Sequence, residues 1–356
     1  MSGAKNPVEA LARRIIAAQG PISLAAVMRL ANTALPDSYY QANQPFGPSG
    51  DFVTAPEISQ MFGELLALAL ADHWQQIGAP LPAHVVELGP GRGLLMADAL
   101  RIWRQAVPDF YRCISITMVE ASPALARAQA ERLGAEATRI AWQADLPESD
   151  GPLFLLANEF FDALPIQQFL RTEDGWRERL VNWDEARGFH DALGPVVAAI
   201  REPEGDVWEQ STEALVWAER IGARLAGHGG LALVIDYANR PGETSLRGIR
   251  RHQKSAPLEA LGATDLSAGV DFAAIAGAAE AAGAKAHGPI GQGMFLQALG
   301  IEARHAQLSA RANAAQKREL DSALHQLTDA SAMGDSFQVL ALTGRNDPFP
   351  AIFQNR

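Results

Sequence analysis

The residues best suited to chemistry lie in one short run, Glu87-Leu88-Gly89-Pro90-Gly91-Arg92-Gly93. It follows the apolar pair Val85-Val86 and precedes a helical pattern through Leu94, Leu95, Ala97, Ala99 and Leu100. Glycines in such a turn let the backbone pass close to a ligand, and the helix start behind it offers unpaired N–H groups. The dinucleotide fingerprint is G-x-G-x-x-G. Here the glycines fall at 89, 91 and 93, and Leu94 stands where the third glycine of that fingerprint belongs. Glu87 lies two residues before the first glycine, well placed for a cationic amino group.

An acid followed by G-x-G-x-G suits S-adenosylmethionine better than a pyrophosphate, so Glu87, Gly89, Gly91 and Gly93 are expected to bind that cofactor. Glu120 ends a second apolar run, where a carboxylate accepts hydrogen bonds from ribose hydroxyls. Asp145 follows a third, weaker run, at a position from which an adenine amino group is read. After a fourth comes Asn158-Glu159-Phe160-Phe161-Asp162, polar groups between aromatics and candidates for holding the second substrate. Asp162 reads equally as an N-cap. Glu57 sits three residues after Thr54, so a capping box explains it as well as catalysis does.

These residues need a scaffold that brings strand ends together. Strands are expected at 85–88, 114–120, 138–142, 153–157, 231–236, 284–287 and 337–343, with helices between them, among them 124–133, 272–282 and 292–330. That alternation means βαβ units, an α/β fold whose mostly parallel sheet is covered by helices on both faces. The stretch 166–183 alternates around Glu173-Asp174-Gly175 as an inserted β-hairpin, and 237–270 carries little periodicity. The spacing of Ile58, Met61, Phe62, Leu65, Leu66, Ala69, Leu70, His73, Trp74 and Ile77 predicts a long amphipathic helix capped by Thr54. A short helix through Leu11, Ile15 and Ile16 precedes it, and a Pro- and Gly-rich loop spans 36–50. The domain expectation is therefore a helical N-terminal segment at 1–78 and a second domain at 79–356, with insertions at about 163–228 and 237–270.

Composition removes several function classes. Of 356 residues, 30 are Lys or Arg and 41 Asp or Glu, a net charge of −11 that disfavours nonspecific nucleic-acid binding. The single cysteine, Cys113, allows no internal disulfide and no thiolate cluster. The eight histidines are scattered, and no metal-binding motif is present, so no metal is expected. No apolar run approaches the ~18 residues of a membrane span, and Met1–Gly20 has no signal-peptide core. A cytoplasmic protein without membrane insertion is the expectation.

The sequence resembles the MidA-like family, the mitochondrial complex I assembly-factor arginine methyltransferases and their bacterial relatives. The resemblance rests on GDFVTAPEISQMFGE (50–64), VVELGPGRGLLMADALR (85–101), VEASPAL (119–125), LANEFFDALPIQQF (156–169), VIDYA (234–238), TDLSAGVDF (264–272) and GQGMFLQALGI (291–301). It implies a class I, seven-stranded methyltransferase fold, S-adenosylmethionine as donor, and as acceptor an arginine in a protein partner, a subunit of respiratory complex I. Asn158 stands where animal members have His. Two carboxylates clamping a guanidinium would orient one nitrogen and hold charge on the others. Glu159 and Asp162 are candidates for that clamp, with Asn158 beside them and Glu57 closing from the N-terminal segment, whose cleft 237–270 would share. Two other readings keep the cofactor: a methyltransferase with a different acceptor, or a cofactor-binding complex I assembly chaperone with little turnover.

Overall fold

The structure is a computed structural model that describes residues 6–42, 54–197, 205–250 and 253–353. Contacts divide the chain into two compact units. One comprises the described residues within Met1–Phe52, Phe161–Ala214 and Asn239–Asp271, and the other those within Val53–Phe160, Leu215–Ala238 and Phe272–Arg356.

The second unit carries the large sheet. Its seven strands are β1 (Ala83–Leu88), β2 (Ile114–Val119), β3 (Ile140–Gln143), β4 (Leu153–Asn158), β5 (Gly230–Tyr237), β6 (Lys285–Gly291) and β7 (Phe337–Thr343). They lie in the order β6-β7-β5-β4-β1-β2-β3. Strand β7 runs antiparallel to β5 and β6, while the pairings among β1 to β5 are parallel. The α/β expectation holds, and each expected strand is present. Strands β4 and β5 are buried at every position, which is why they read as unbroken apolar runs rather than alternating ones. The ends of β1, β2 and β4 are level, because Leu88 pairs with both Val119 and Ala157. Strand order reverses between β1 and β4, so the loops leaving their carboxyl ends flank the crevice where open α/β sheets bind ligands.

Helix α1 (Gln60–Gln76) packs on helix α2 (Leu94–Ala106). The approach is close because Gly63 lacks a side chain: a Cβ there would lie 2.9 Å from Cβ of Asp98. Indole Nε1 of the buried Trp103 donates to the Ala67 carbonyl at 2.7 Å across the same contact. The start of α1 corrects one expectation. Thr54 makes no side-chain cap and its turn stops after Ala55–Ile58. Ser59 then turns extended and caps α1, its Oγ accepting from Met61 N–H at 3.2 Å. No capping box forms because the Glu57 carboxylate pairs with Arg92 instead. His73 is buried, as its place on the apolar stripe implies. Helix α1 belongs to the unit of the large sheet, whereas the sequence grouped it with the N-terminal segment.

Helix α3 (Pro123–Leu133) follows β2, and α4 (Thr212–His228) precedes β5. Helix α5 (Phe272–Ala281) meets α4 at Gly222, where a Cβ would stand 2.5 Å from the Ala279 carbonyl oxygen and 2.8 Å from its Cα. Backbone atoms cannot swing aside as a side chain can. Gly222→Val is expected to cost about 3 kcal/mol, the upper end of overpacking penalties, read as a lowered urea midpoint with unchanged slope.

In the first unit, Asn6 caps helix Pro7–Gln19 through Val8 and Glu9 N–H groups, and Gly20 at φ 85° ends it. Val8, Ala12, Ile16, Leu24, Val27 and Met28 form its core with Ile166, Val181, Leu246, Leu261 and Leu266. The expected hairpin is present as Gln167–Thr172 with Gly175–Asp184, and it extends into a five-stranded antiparallel sheet. Residues 237–270, which show no periodicity, hold a small sheet of Arg247–Arg250, Gln253–Ser255 and Asp265–Ser267. Its strands are too short for alternation to show.

Candidate active site

The turn after β1 is built by three glycines in left-handed backbone, φ 60° at Gly89, 51° at Gly91 and 74° at Gly93. Gly93 N–H closes it by donating to the Pro90 carbonyl at 2.7 Å. Gly93 is the N-cap of α2 and brings no side-chain cap, so the first-turn N–H groups of α2 stay open to a ligand. A Cβ on Gly89 would lie 2.9 Å from the Phe160 ring, a close approach that only glycine allows.

Glu87 is buried inside β1, and burial pushes its carboxyl up to about 8. Its Oε2 has no hydrogen-bond partner among the described residues. A buried acid left short of a donor fits a cationic amino group. Glu120, just beyond β2, accepts from Ser122 N–H at 2.7 Å and from Gln129 Nε2 at 3.0 Å, and burial raises its carboxyl. Asp145 is exposed, and its carboxylate takes Arg220 of α4 at 2.5 Å, which lowers its pKa.

At the end of β4 the structure brings Asn158 and Glu159 together with Glu57. Oε1 of Glu159 accepts from Asn158 Nδ2 at 3.1 Å and from Ala55 N–H at 3.4 Å. Glu159 is held at φ 51°, a strained conformation for a residue with a side chain. Burial, and to a lesser degree the Glu57 carboxylate, push its carboxyl up to about 7. Oε1 of Glu57 takes Arg92 Nη1 at 3.2 Å. Glu57 Oε2 and Asn158 Oδ1 are buried without a partner among the described residues. Asp162 belongs to the other unit, where its carbonyl accepts from Ala268 N–H at 2.9 Å and its charge helps to raise the Tyr40 hydroxyl.

Sequence reasoning missed Arg92 and Gln129. Arg92 carries no signal, since nothing local pairs a turn residue with Glu57. Gln129 does: with Leu125 and Leu133 it forms the buried stripe of α3, and a polar residue at i+4 on such a stripe has to be satisfied.

A seven-stranded sheet with one antiparallel strand, a glycine turn after β1 and an acid after β2 define the class I methyltransferase architecture. The chain belongs to a family of S-adenosyl-L-methionine-dependent methyltransferases, matched over residues 65–290. It is 37% identical over 372 residues to the zebrafish (Danio rerio) protein arginine methyltransferase NDUFAF7, mitochondrial, covering 95% of this chain and 87% of that protein. The human protein of the same name is 35% identical over 373 residues, covering 95% and 84%. A crystal structure from Burkholderia thailandensis bound to S-adenosyl-homocysteine superposes with a TM-score of 0.88 at 28% identity, covering 100% of this chain and 97% of that one. S-adenosylmethionine is thus the cofactor, and the expected enzyme class holds. The expected cytoplasmic location does not, because these relatives are named as mitochondrial. Low cysteine content and the lack of an apolar span suit more than one compartment, which is why they could not tell them apart. Among the described residues no helix is long and apolar enough to cross a membrane, and no cluster of His, Cys, Asp and Glu could hold a metal ion.

Proposed function

We propose that this methyltransferase modifies an arginine of a protein partner, a subunit of respiratory complex I. The reading rests on the pair of acids beside the glycine turn. Glu57 and Glu159 together with Asn158 form an acceptor-rich cluster in which Glu57 Oε2 and Asn158 Oδ1 have no donor among the described residues. A guanidinium offers five N–H donors in a planar fork and suits such a cluster better than an ammonium does. The names of the relatives, protein arginine methyltransferases, support the same acceptor, and the resemblance to the complex I assembly factors supports the partner.

Glu87, Gly89, Gly91, Gly93, Glu120 and Asp145 are the residues proposed to hold the cofactor: the amino group at Glu87, the ribose at Glu120, the adenine amino group at Asp145. Bound there, the cofactor supplies an electrophilic methyl on a sulfonium. The acceptor nitrogen has to meet it in line, so alignment is the main task of the protein. A guanidinium has a pKa above ~12 and a delocalised lone pair. Glu57 and Asn158 would hold the nitrogens that do not react. Glu159 would take the proton that the methylated nitrogen gives up, a carboxyl near 7 being matched to that transfer at neutral pH.

The test is transfer of labelled methyl from S-adenosylmethionine to purified complex I subunits, followed by hydrolysis and amino-acid analysis. Label in methylarginine is expected. Label in another amino acid, or none from a chain that binds S-adenosylhomocysteine, would overturn the arginine reading.

A further inference from the structure

Gln129 is completely buried, and its amide makes three hydrogen bonds around the carboxyl ends of β1, β2 and β3. Its Nε2 donates to the Gly91 carbonyl at 2.8 Å and to Glu120 Oε2 at 3.0 Å. Its Oε1 accepts from Trp142 Nε1, on β3, at 2.8 Å. One amide thus joins the apex of the glycine turn, the acid after β2 and the indole of β3. The turn is packed against it as well, since a Cβ on Gly93 would meet Gln129 Cγ at 3.4 Å.

We propose that Gln129 is a positioning residue for S-adenosylmethionine. It holds the Glu120 carboxylate and the Gly91 peptide at a fixed separation, so that the ribose and the amino-acid end of the cofactor meet groups already in place. Serine backbone alone does not fix Glu120. Ser122 N–H restrains Oε1, whereas Oε2 takes the Gln129 amide, and losing that donor loosens the carboxylate about the first bond. Leu or Met would fill the stripe of α3 equally well, so packing does not call for an amide there. A buried amide with each of these groups satisfied restricts the site to one arrangement. The inference rests on the reading of Glu120 as the ribose acceptor, and it is independent of which acceptor is methylated.

The test measures S-adenosylhomocysteine affinity by calorimetry for wild type, Gln129→Met, Glu120→Gln and the double variant. Gln129→Met is expected to raise Kd about 20-fold, within the range for losing a buried hydrogen bond to a charged group. Glu120→Gln should raise it about as much. Because Gln129 acts through Glu120 as well as the turn, the double variant should lose clearly less than the product of the two single losses, whereas independent effects would multiply. Multiplying losses, or wild-type affinity in Gln129→Met, would overturn the proposal. Unchanged affinity in Glu120→Gln would remove the reading of Glu120 and the proposal with it. A weakened Glu120→Gln beside an unaffected Gln129→Met would remove the proposal alone. Should Gln129→Met not fold, Trp142→Phe carries the test from the half-buried end of the chain of bonds. It deletes the donor to Gln129 Oε1 and should raise Kd about fivefold, and no change would be a refutation.

Discussion

Gly91→Val is expected to abolish binding of S-adenosylhomocysteine while leaving the protein folded. Gly91 sits at φ 51°, and a β-branched side chain is among the least tolerant of that region. The left-handed conformation costs an ordinary residue about 1–2 kcal/mol, and the turn can relieve the strain only by changing shape. A changed turn gives up the Gly93-to-Pro90 hydrogen bond and the Gly91 carbonyl contact with Gln129. It also re-aims the first-turn N–H groups of α2. The expected rise in Kd is about 100-fold or more, equivalent to ~2.7 kcal/mol, by calorimetric titration. Gly91→Ala should lose about tenfold, having the same backbone conflict without the branch. Gly20→Ala is the control: φ there is 85° with open space around the missing Cβ, so the strain is similar but far along the chain from the turn. Wild-type affinity in a folded Gly91→Val protein would mean that the glycine turn is structural and that the cofactor is held elsewhere.

How much of this was legible in the sequence depends on how local each determinant is. The glycine turn and the acid at Glu87 occupy seven consecutive residues, and their backbone demands are met within the turn itself. Strands β4 and β5 announced themselves because burial on both faces keeps them apolar up to Asn158 and Asp236 at their carboxyl ends. The first unit was illegible as a unit because it is assembled from three separated stretches, joined by contacts such as Ile22 with Val181 and Asn6 with the Leu261 carbonyl. Nothing in any one stretch signals the other two. Thr54 and Glu57 satisfied the spacing of a capping box, but spacing is a local criterion and a distant guanidinium won the carboxylate. The same long-range pairing hid Arg92. Gln129 was readable in principle, as a polar interruption of the Leu125–Leu133 stripe, though its partners were not. Residues 50–53 of the first family motif, and part of the expected loop at 36–50, lie outside the described residues.

Glu159→Gln should lower turnover about 1,000-fold, within the usual contribution of a general base, while S-adenosylhomocysteine affinity changes less than about threefold, since the residue is assigned to the acceptor. The pH profile separates a proton acceptor from a group that only orients. In wild type, burial holds the Glu159 carboxyl near 7, so the rate should climb about tenfold per pH unit below that value and level off above it. Glutamine has no proton to lose, and the variant's profile should be flat from pH 5.5 to about 8. Stability should move the other way. The ordinary carboxyl value is 4.5, so between that and about 7 the folded chain keeps a proton that the unfolded chain has released. Stability therefore falls as pH rises through this window, and the loss is complete above about 7. Glu159→Gln removes the titration, and its urea midpoint should exceed that of wild type at pH 8 and match it near pH 4.5. A variant that turned over normally would leave Glu57 and Asn158 to align the acceptor unaided. One that was slow but kept the wild-type pH dependence would make Glu159 an orienting group and place the proton acceptor on another residue. The strain at φ 51° bears on the outcome, because a left-handed Glu at the tip of β4 lowers stability as built and is retained where the position of its carboxylate matters.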